Sequence, residues 1–353
     1  MSSHRRTFLA TVGVAMAGLA GCTETEDDLD DSDGPGDLDD DDDTEPDDPD
    51  DLDDSDDPDD LDDDDGTEPD DPDDVEGVVG TLVEGDNLHL VIEDVEITTQ
   101  IGEFQEADQG NEFVLIQLAM KNVTDEFVHV SQLLQASVRD DEDYSYSMAI
   151  AATEDPTFND GQFAPGELER GVIAFELPED ATGRRLQFDL DGSIFGGIDR
   201  VEIDLEDETD VHRLEQELAI DTFGSGDAVE FDGVEVELRG MEAETELGMF
   251  AEADEGHEYV ILDIEVTNNT GEEQRVSTVL QMMLKDGNGW TYQEDWMATA
   301  ELDRPFDETS PLTDGETRAG EVVYEIEEGL SPLYWVFEYT LWTDGDKTFW
   351  QLR

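Results

Sequence analysis

Apolar residues occupy every second position in two distant segments of the chain. Val260, Leu262, Ile264 and Val266 alternate with Ile261, Asp263 and Glu265, and Val114, Ile116, Leu118 and Met120 repeat the pattern earlier. A period of two is typical of strands that bury one face. Strand-like runs separated by turn residues lie near 79–83, 88–97, 112–121, 127–138, 168–177, 185–190 and 200–205. The pattern therefore predicts about seven short antiparallel strands in the first half of the chain.

These strands belong to an internal duplication. Residues 101–135 align without a gap with residues 247–281, and 15 of the 35 positions are identical. Further on, residues 165–177 match residues 314–326. The duplication predicts two homologous domains at 76–206 and 215–353, each an antiparallel sandwich in an all-β protein.

The first 22 residues combine a charged start, a short apolar run and the only cysteine of the chain. Arg5, Arg6, Phe8 and Leu9 resemble the twin-arginine export motif, and the run Leu-Ala-Gly-Cys that ends at Cys22 resembles a lipobox. The apolar run is too short for a membrane span, which takes roughly 20 residues. We expect a signal peptide at 1–22 and lipidation of Cys22; an accidental, unmodified cysteine is the alternative.

An acidic segment follows. Residues 23–74 contain 33 Asp or Glu, no Lys or Arg, and a 15-residue run that recurs 23 positions later with one substitution. Like charges and a lack of apolar surface predict a disordered stalk over residues 23–75. A calcium array is the alternative reading, but the spacing of the aspartates around Gly66 departs from that of an EF-hand loop.

Acidity continues through the two predicted domains. The whole chain has a formal net charge of -85, and Lys121, Lys285 and Lys347 are its only lysines. Such a charge argues against nucleic acid and against electrostatic attraction to anionic lipids. In concentrated salt the Debye length falls to about 3 Å, which screens the self-repulsion. The surface resembles that of proteins from salt-loving archaea; an acidic binder of cationic partners is the competing interpretation.

Several repeated motifs resemble those of a known family. They are the strand entries at Gly110–Val114 and Gly256–Val260, the turns Asn122-x-Thr124 and Asn268-x-Thr270, and a Gly-Glu turn before a later strand. The pattern resembles an immunoglobulin-like domain of unknown function that is widespread in bacterial and archaeal lipoproteins and similar to a small secreted mycobacterial antigen. The resemblance covers both copies and implies two tandem immunoglobulin-like sandwiches; it implies no catalytic residues.

Three groups of residues are candidates for sites. Asn122 and Asn268 lie in sequons and are either glycosylated or simply turn residues. Trp290, Tyr292 and Trp296 surround a glycine-containing turn and could form an aromatic shelf for a sugar or a partner. The repeated acidic loops contain weak candidates for metal ligands, which are Asp108, Glu112, Asp254 and Glu258. An ordinary turn is the simpler interpretation of these loops.

The sequence contains none of the common catalytic motifs that place a nucleophile, a zinc site or a phosphate loop. We therefore expect a non-enzymatic, cofactor-free protein on the extracellular face of the cell membrane, attached only through its lipid. Its predicted role is a binding or structural module of the envelope, with an envelope protein or a glycan as partner. The alternative is an accessory lipoprotein that binds a metal ion or a carbohydrate.

Overall fold

The computed structural model of the protein describes residues 73–102, 105–130, 136–151, 153, 155–190, 195–340 and 345–353. The predicted export motif, Cys22 and nearly all of the acidic segment lie outside the described residues. No helix in the described ranges is both long enough and apolar enough to cross a membrane.

The first domain is built from strands. Within the described residues they are β1 Asp73–Val79, β2 Leu82–Glu84, β3 Leu88–Thr98, β4 Gln100–Ile101, β5 Gln105–Glu106, β6 Asn111–Asn122, β7 Val128–Val130, β8 Ala136–Arg139, β9 Ser145–Ala149, β10 Gly161–Phe163, β11 Leu168–Pro178, β12 Arg185–Asp189 and β13 Ile198–Glu208. The main sheet has the order β1-β13-β12-β8-β9-β11-β6-β3-β2. Its neighbouring strands run antiparallel, except that β1 is parallel to β13.

Strand β9 joins the two layers of this sandwich, because it pairs with β8 on one side and with β11 on the other. The side chains of both layers meet in one core, which includes Ile116, Val138, Phe175 and Phe188. The prediction of a β-sandwich is therefore confirmed for the first domain.

The second domain repeats the sandwich with two separate four-stranded sheets. Its elements are β14 Ala228–Phe231, β15 Val234–Glu244, β16 Glu246–Leu247, β17 Ala251–Glu252, β18 His257–Asn268, α1 Thr278–Gln281, β19 Met282–Asp286, β20 Thr291–Tyr292, α2 Trp296–Thr299, β21 Thr317–Glu327, β22 Leu333–Phe337 and β23 Thr348–Gln351. The sheets have the orders β14-β15-β18-β21 and β20-β19-β22-β23. Between them Trp335 packs against Trp350, with ring centroids 4.9 Å apart, as expected of a core residue.

The alternating pattern corresponds to alternating burial. In β18, Val260, Leu262, Ile264 and Val266 are buried while the residues between them are half-exposed. Strand β6 buries the predicted face too, but Ala119 on its other face is also buried. That second face is covered, since Leu214 from the segment between the domains packs on it.

Two strand boundaries differ from the prediction. Strand β1 begins at Asp73, inside the segment predicted to be disordered, because it pairs with β13 and Arg200 lies 3.8 Å from Asp74. The run predicted as one strand over 127–138 contains two strands with different partners, because β7 pairs with β10 whereas β8 pairs with β9 and β12; residues 131–135 lie outside the described residues. Such pairing depends on distant neighbours, which a local pattern does not contain.

Glycine at the same position of β11 and β21 lets another backbone segment cross the sheet closely. A Cβ atom at Gly171 would collide with the backbone of Phe158, and one at Gly320 would collide with that of Phe306. Because a larger residue would block this crossing, both copies have glycine at this position, before the apolar run of the strand.

Asn268 anchors the turn after β18. Its Nδ2 donates hydrogen bonds to the carbonyl oxygens of Glu272 at 2.7 Å and Leu312 at 2.9 Å. Its Oδ1 accepts hydrogen bonds from the backbone nitrogen of Thr270 at 3.0 Å and from its hydroxyl at 2.8 Å. The buried side chain therefore uses its full hydrogen-bonding capacity within the protein.

Asn122 makes the same four hydrogen bonds in the first domain, with Glu126, Phe163 and Thr124. Both asparagine nitrogens are buried and engaged, although a glycan would have to attach at that atom. The geometry favours the turn interpretation of both sequons.

Replacing Asn268 by Ala should lower the free energy of unfolding by about 1–3 kcal/mol, because it leaves buried carbonyl groups without donors. The neighbouring Asn269 is exposed, so Asn269→Ala is the matched control and should change stability by less than about 0.5 kcal/mol. Urea denaturation of the two variants measures the difference. Equal effects would contradict the anchoring role.

Candidate functional site: the interface between the two domains

The segment between the domains lies along the first domain instead of forming a free linker. Backbone nitrogens of Thr209, Glu217 and Ala219 donate to carbonyl oxygens of the first domain at 2.8, 3.0 and 2.9 Å. Leu214 is buried against the sheet. Because these hydrogen bonds and the burial of Leu214 hold the segment against the first domain, the segment forms part of the interface between the two domains.

An apolar cluster joins the domains beside this segment. Ala164 of the first domain packs with Met283, Val336 and Phe349 of the second, all of them buried. Half-buried side chains from the first domain, the connecting segment and the second domain surround them: Phe127, Leu218, Ile220 and Tyr334. The two sandwiches therefore share a continuous packed contact.

Next to the apolar cluster lies a group of four charged side chains, Glu167, Glu169, Lys285 and Lys347, which we call the ionic cluster. Lys347 Nζ lies 2.7 Å from Glu167 Oε1, and Lys285 Nζ lies 3.2 Å from the same oxygen. Lys285 Nζ also donates to Glu169 Oε2. The four side chains are at most 2% exposed. Glu169 lies in β11 and Glu167 lies directly before it, and side chains two residues apart along an extended chain point the same way.

The charges of the ionic cluster balance, but the two carboxyl groups differ. Burial pushes the pKa of Glu167 up, yet the charges of Lys347 and Lys285 outweigh it and the pKa lies below its usual value. Burial dominates at Glu169 and raises its pKa. Burial lowers the pKa of Lys347, but its carboxylate neighbours reverse the shift and raise it.

Arg170 holds a turn of the second domain on the opposite face of β11. Its guanidinium forms a bidentate pair with Glu93, with N–O distances of 2.6 and 2.8 Å, and also donates to the carbonyl of Asn288. Its backbone nitrogen donates to the carbonyl of Gly289 at 2.8 Å. The residue at 170 therefore belongs to both domains' hydrogen-bond networks.

A cleft of about 680 Å³ opens beside Arg170, and we call it the interdomain cleft. Both domains and the connecting segment line it, with side chains that include Glu93, Gln117, Arg170, Arg213, Gln216 and Trp290. Trp290 is half-buried, and Arg213 makes no ion pair with any residue that the structure describes. An indole face, a guanidinium and planar amides converge in one concave site.

A family model for a domain of unknown function, DUF4352, matches residues 78–200 and 223–347. The chain belongs to this family. The chain matches no curated protein. The ionic cluster and the interdomain cleft thus lie between two DUF4352 domains.

Several solved structures are similar to one DUF4352 domain. An uncharacterised β-sandwich protein from Clostridium difficile is 16% identical over 39% of this chain and 99% of its own, with a TM-score of 0.27. A conserved hypothetical protein from Bacillus anthracis is 19% identical over 37% and 95%, with a TM-score of 0.30. The secreted protein MPT63 from Mycobacterium tuberculosis is 14% identical over 37% and 96%, with a TM-score of 0.28.

The three aromatic residues predicted as a shelf do not share one surface. Trp290 lines the interdomain cleft. Tyr292 packs against the core of the second domain, and Trp296 is 76% exposed on α2. Strand β20 and the turn into α2 separate them, so Trp290 alone belongs to the site.

The four acidic candidates are placed in pairs, one pair per DUF4352 domain. Glu112 pairs with Arg184, and Glu258 accepts hydrogen bonds from Arg353 and from the backbone of Gly329. Asp108 and Asp254 lie in the turns before these strands, where their carbonyl oxygens accept hydrogen bonds from the chain three residues on. The described ranges contain no group of three or more His, Cys, Asp or Glu side chains arranged to hold a metal ion.

The sequence prediction missed the ionic cluster and Arg213. A signal was available, because two of the three lysines in this highly acidic chain, Lys285 and Lys347, lie in the cluster. A rare residue type in an acidic background indicates a position where a positive charge is required.

Replacing Lys347 by Met should lower the free energy of unfolding by about 3–5 kcal/mol, because it leaves an unbalanced negative charge in a buried site. Arg239→Met removes an exposed pair with Glu265 and should cost less than about 1 kcal/mol, which makes it the control. Urea denaturation measures both.

The cost of Lys347→Met should also depend on pH. Without Lys347, burial raises the pKa of Glu167 in the folded variant, so folding then favours the protonated acid. A raised carboxyl pKa gives stability at low pH that is lost as the pH rises through it. The cost should therefore be smaller at about pH 4 than at about pH 7. A cost that grows on acidification would contradict the balanced-charge account.

Proposed function

We propose that this DUF4352 protein is an exported, lipid-anchored and non-catalytic binding module of the cell envelope, which binds its ligand in the interdomain cleft. The observation that carries the proposal is the cleft itself, because both domains and the connecting segment contribute to its walls. Neither DUF4352 domain could form the interdomain cleft alone, because each supplies only part of its lining.

The proposal of export and anchoring rests on the N-terminal sequence. The pair Arg5-Arg6 with Phe8 and Leu9 supports export in the folded state, and Cys22 supports a lipid anchor at the mature N-terminus. The acidic segment after Cys22 then acts as a spacer that holds the domains away from the membrane. The acidic surface suits a medium of high salt.

Two carboxylates and two guanidiniums line the cleft, since Glu93 is paired with Arg170 and Glu215 lies there together with Arg213. We assign the cleft to an anionic carbohydrate whose carboxylate contacts Arg213.

The half-buried indole of Trp290 suits a sugar ring. Gln117 donates to Glu93 and Gln216 donates to the carbonyl of Asp286, and the remaining hydrogen-bonding positions of these two amides suit sugar hydroxyls. Arg213 supplies a guanidinium that is not paired within the described residues and suits a carboxylate. These are groups that bind and orient a ligand.

Binding can be tested with the full chain and two probes, a uronic-acid tetrasaccharide and a neutral tetrasaccharide of the same length. We expect the acidic probe to bind more tightly and to quench tryptophan fluorescence. Arg213→Ala should weaken this binding by about tenfold or more, since it removes a charge-assisted contact.

Trp290→Ala should also weaken binding, whereas Trp296→Ala is the matched control and should leave the affinity unchanged, because Trp296 lies outside the cleft. Isothermal titration calorimetry checks each variant. Failure of both probes to bind, or an equal loss in the Trp296 variant, would contradict a glycan site in the cleft.

The anchor is tested separately. Cys22→Ser should move the protein from the membrane fraction to the medium, because the lipid provides its only attachment to the membrane. Replacing Arg5 and Arg6 by Lys should instead retain the precursor inside the cell. Fractionation followed by immunoblotting measures both outcomes, and membrane association of the Cys22 variant would contradict lipid anchoring.

A further inference from the structure

Glu169 is a fully buried carboxyl group that is only half satisfied. Its Oε2 accepts hydrogen bonds from Lys285 and, at 2.9 Å, from the hydroxyl of Thr291. Its Oε1 is buried and has no hydrogen-bond partner within the described residues. A buried carboxylate is costly unless both oxygens are satisfied. The surroundings of Glu169 therefore stabilise its carboxylate form poorly.

Glu167, in contrast, is well supported as an anion. Its Oε2 accepts a hydrogen bond from the backbone nitrogen of Ala164 at 2.7 Å, and its Oε1 contacts both Lys347 and Lys285. The pKa values of Glu167 and Glu169 are shifted in opposite directions. Two adjacent carboxyl groups with such a difference are typical of a base and an acid.

We propose that Lys285 Nζ and Glu169 Cδ form an amide bond that joins the two domains covalently. The two groups come from different domains, touch each other and are shielded from solvent. Burial keeps them in contact and excludes the water that would favour the separated ions.

The reaction is a condensation and needs no oxidant, reductant or cofactor. One bond forms between Nζ and Cδ, and one bond breaks between Cδ and a carboxyl oxygen. The ammonium group of Lys285 starts with three protons, of which the amide keeps one and the other two leave with that oxygen as water. The total charge of the pair is zero before and after.

Neighbouring residues supply the proton transfers. Glu167 accepts a proton from Lys285 Nζ, which frees the nitrogen lone pair for attack, and passes it to the departing oxygen; after the attack it carries the second proton from the nitrogen to the same oxygen, which then leaves as water. Thr291 donates a hydrogen bond to Glu169 Oε2 and stabilises the negative charge of the tetrahedral intermediate. Lys347 keeps Glu167 in its anionic form.

The product removes two opposite charges from a buried site and leaves a balanced pair, Glu167 with Lys347. The desolvation cost of the Glu169–Lys285 ion pair disappears with those charges. The amide nitrogen and oxygen are neutral and require weaker partners than an ammonium and a carboxylate do. Charge balance in the cluster is kept at every stage.

Peptide mass spectrometry of the full chain tests the proposal. After denaturation and pepsin digestion, we expect a branched peptide that joins Glu169 to Lys285 and weighs one water less than its two arms together. Lys285→Gln and Glu169→Ala should abolish it, and Glu167→Gln should reduce the linked fraction in newly folded protein. Lys121→Gln is the matched control, since Lys121 forms an ion pair outside the cluster, and should leave the link intact.

A second measurement does not depend on any variant. Cleavage of the folded chain after Glu215, an exposed glutamate between the domains, should leave two halves that stay joined on a denaturing gel. Halves that separate, or recovery of residues 169 and 285 only in unlinked peptides, would overturn the proposal. Persistence of the water loss in Lys285→Gln would also overturn it, because the dehydration would then lie elsewhere.

Discussion

Burying two glutamates and two lysines between the domains is the constraint on which the rest of the structure depends. Each of these charges is too costly to bury alone, so all four must be brought together for any one of them to be stable. The requirement fixes the start of β11 in the first domain against β19 and the residue before β23 in the second. Apolar packing around Ala164 and Phe349 excludes water from the group. The interface is therefore specific as well as closely packed.

This fixed interface gives the cleft its shape. Trp290 and Arg170 are positioned by the turn that the second domain places on β11, with a hydrogen bond from Arg170 to Gly289. The connecting segment adds Arg213 because Leu214 is buried beside it. A ligand that bridges these walls would meet groups from three parts of the chain. Such a site is built in advance of binding, which lowers the entropy cost of association.

The sequence could predict the sandwich but not the contact between sandwiches. Alternation in residues such as Leu262 and Ile264 is a local signal, and the structure buries them as predicted. The duplication also indicates two copies of one fold. The contact of Lys285 with Glu169, however, joins residues 116 positions apart and has no period. Trp290 was identified from its residue type, whereas its separation from Trp296 depends on the path of the chain between them.

The duplication also shows how an interface can arise from a surface. Glu316 occupies in the second domain the position of Glu167 and accepts from the backbone of Thr313, as Glu167 does from Ala164. Two residues on, the second domain has Arg318, which pairs with Glu316 at 2.6 Å. The first domain has Glu169 there, so its two carboxyl groups cannot satisfy each other. They require cations from outside the domain, and Lys285 and Lys347 provide them. With arginine at this strand position, the second domain pairs its glutamate internally. With glutamate there, the first domain has two carboxyl groups that need cations from the second domain.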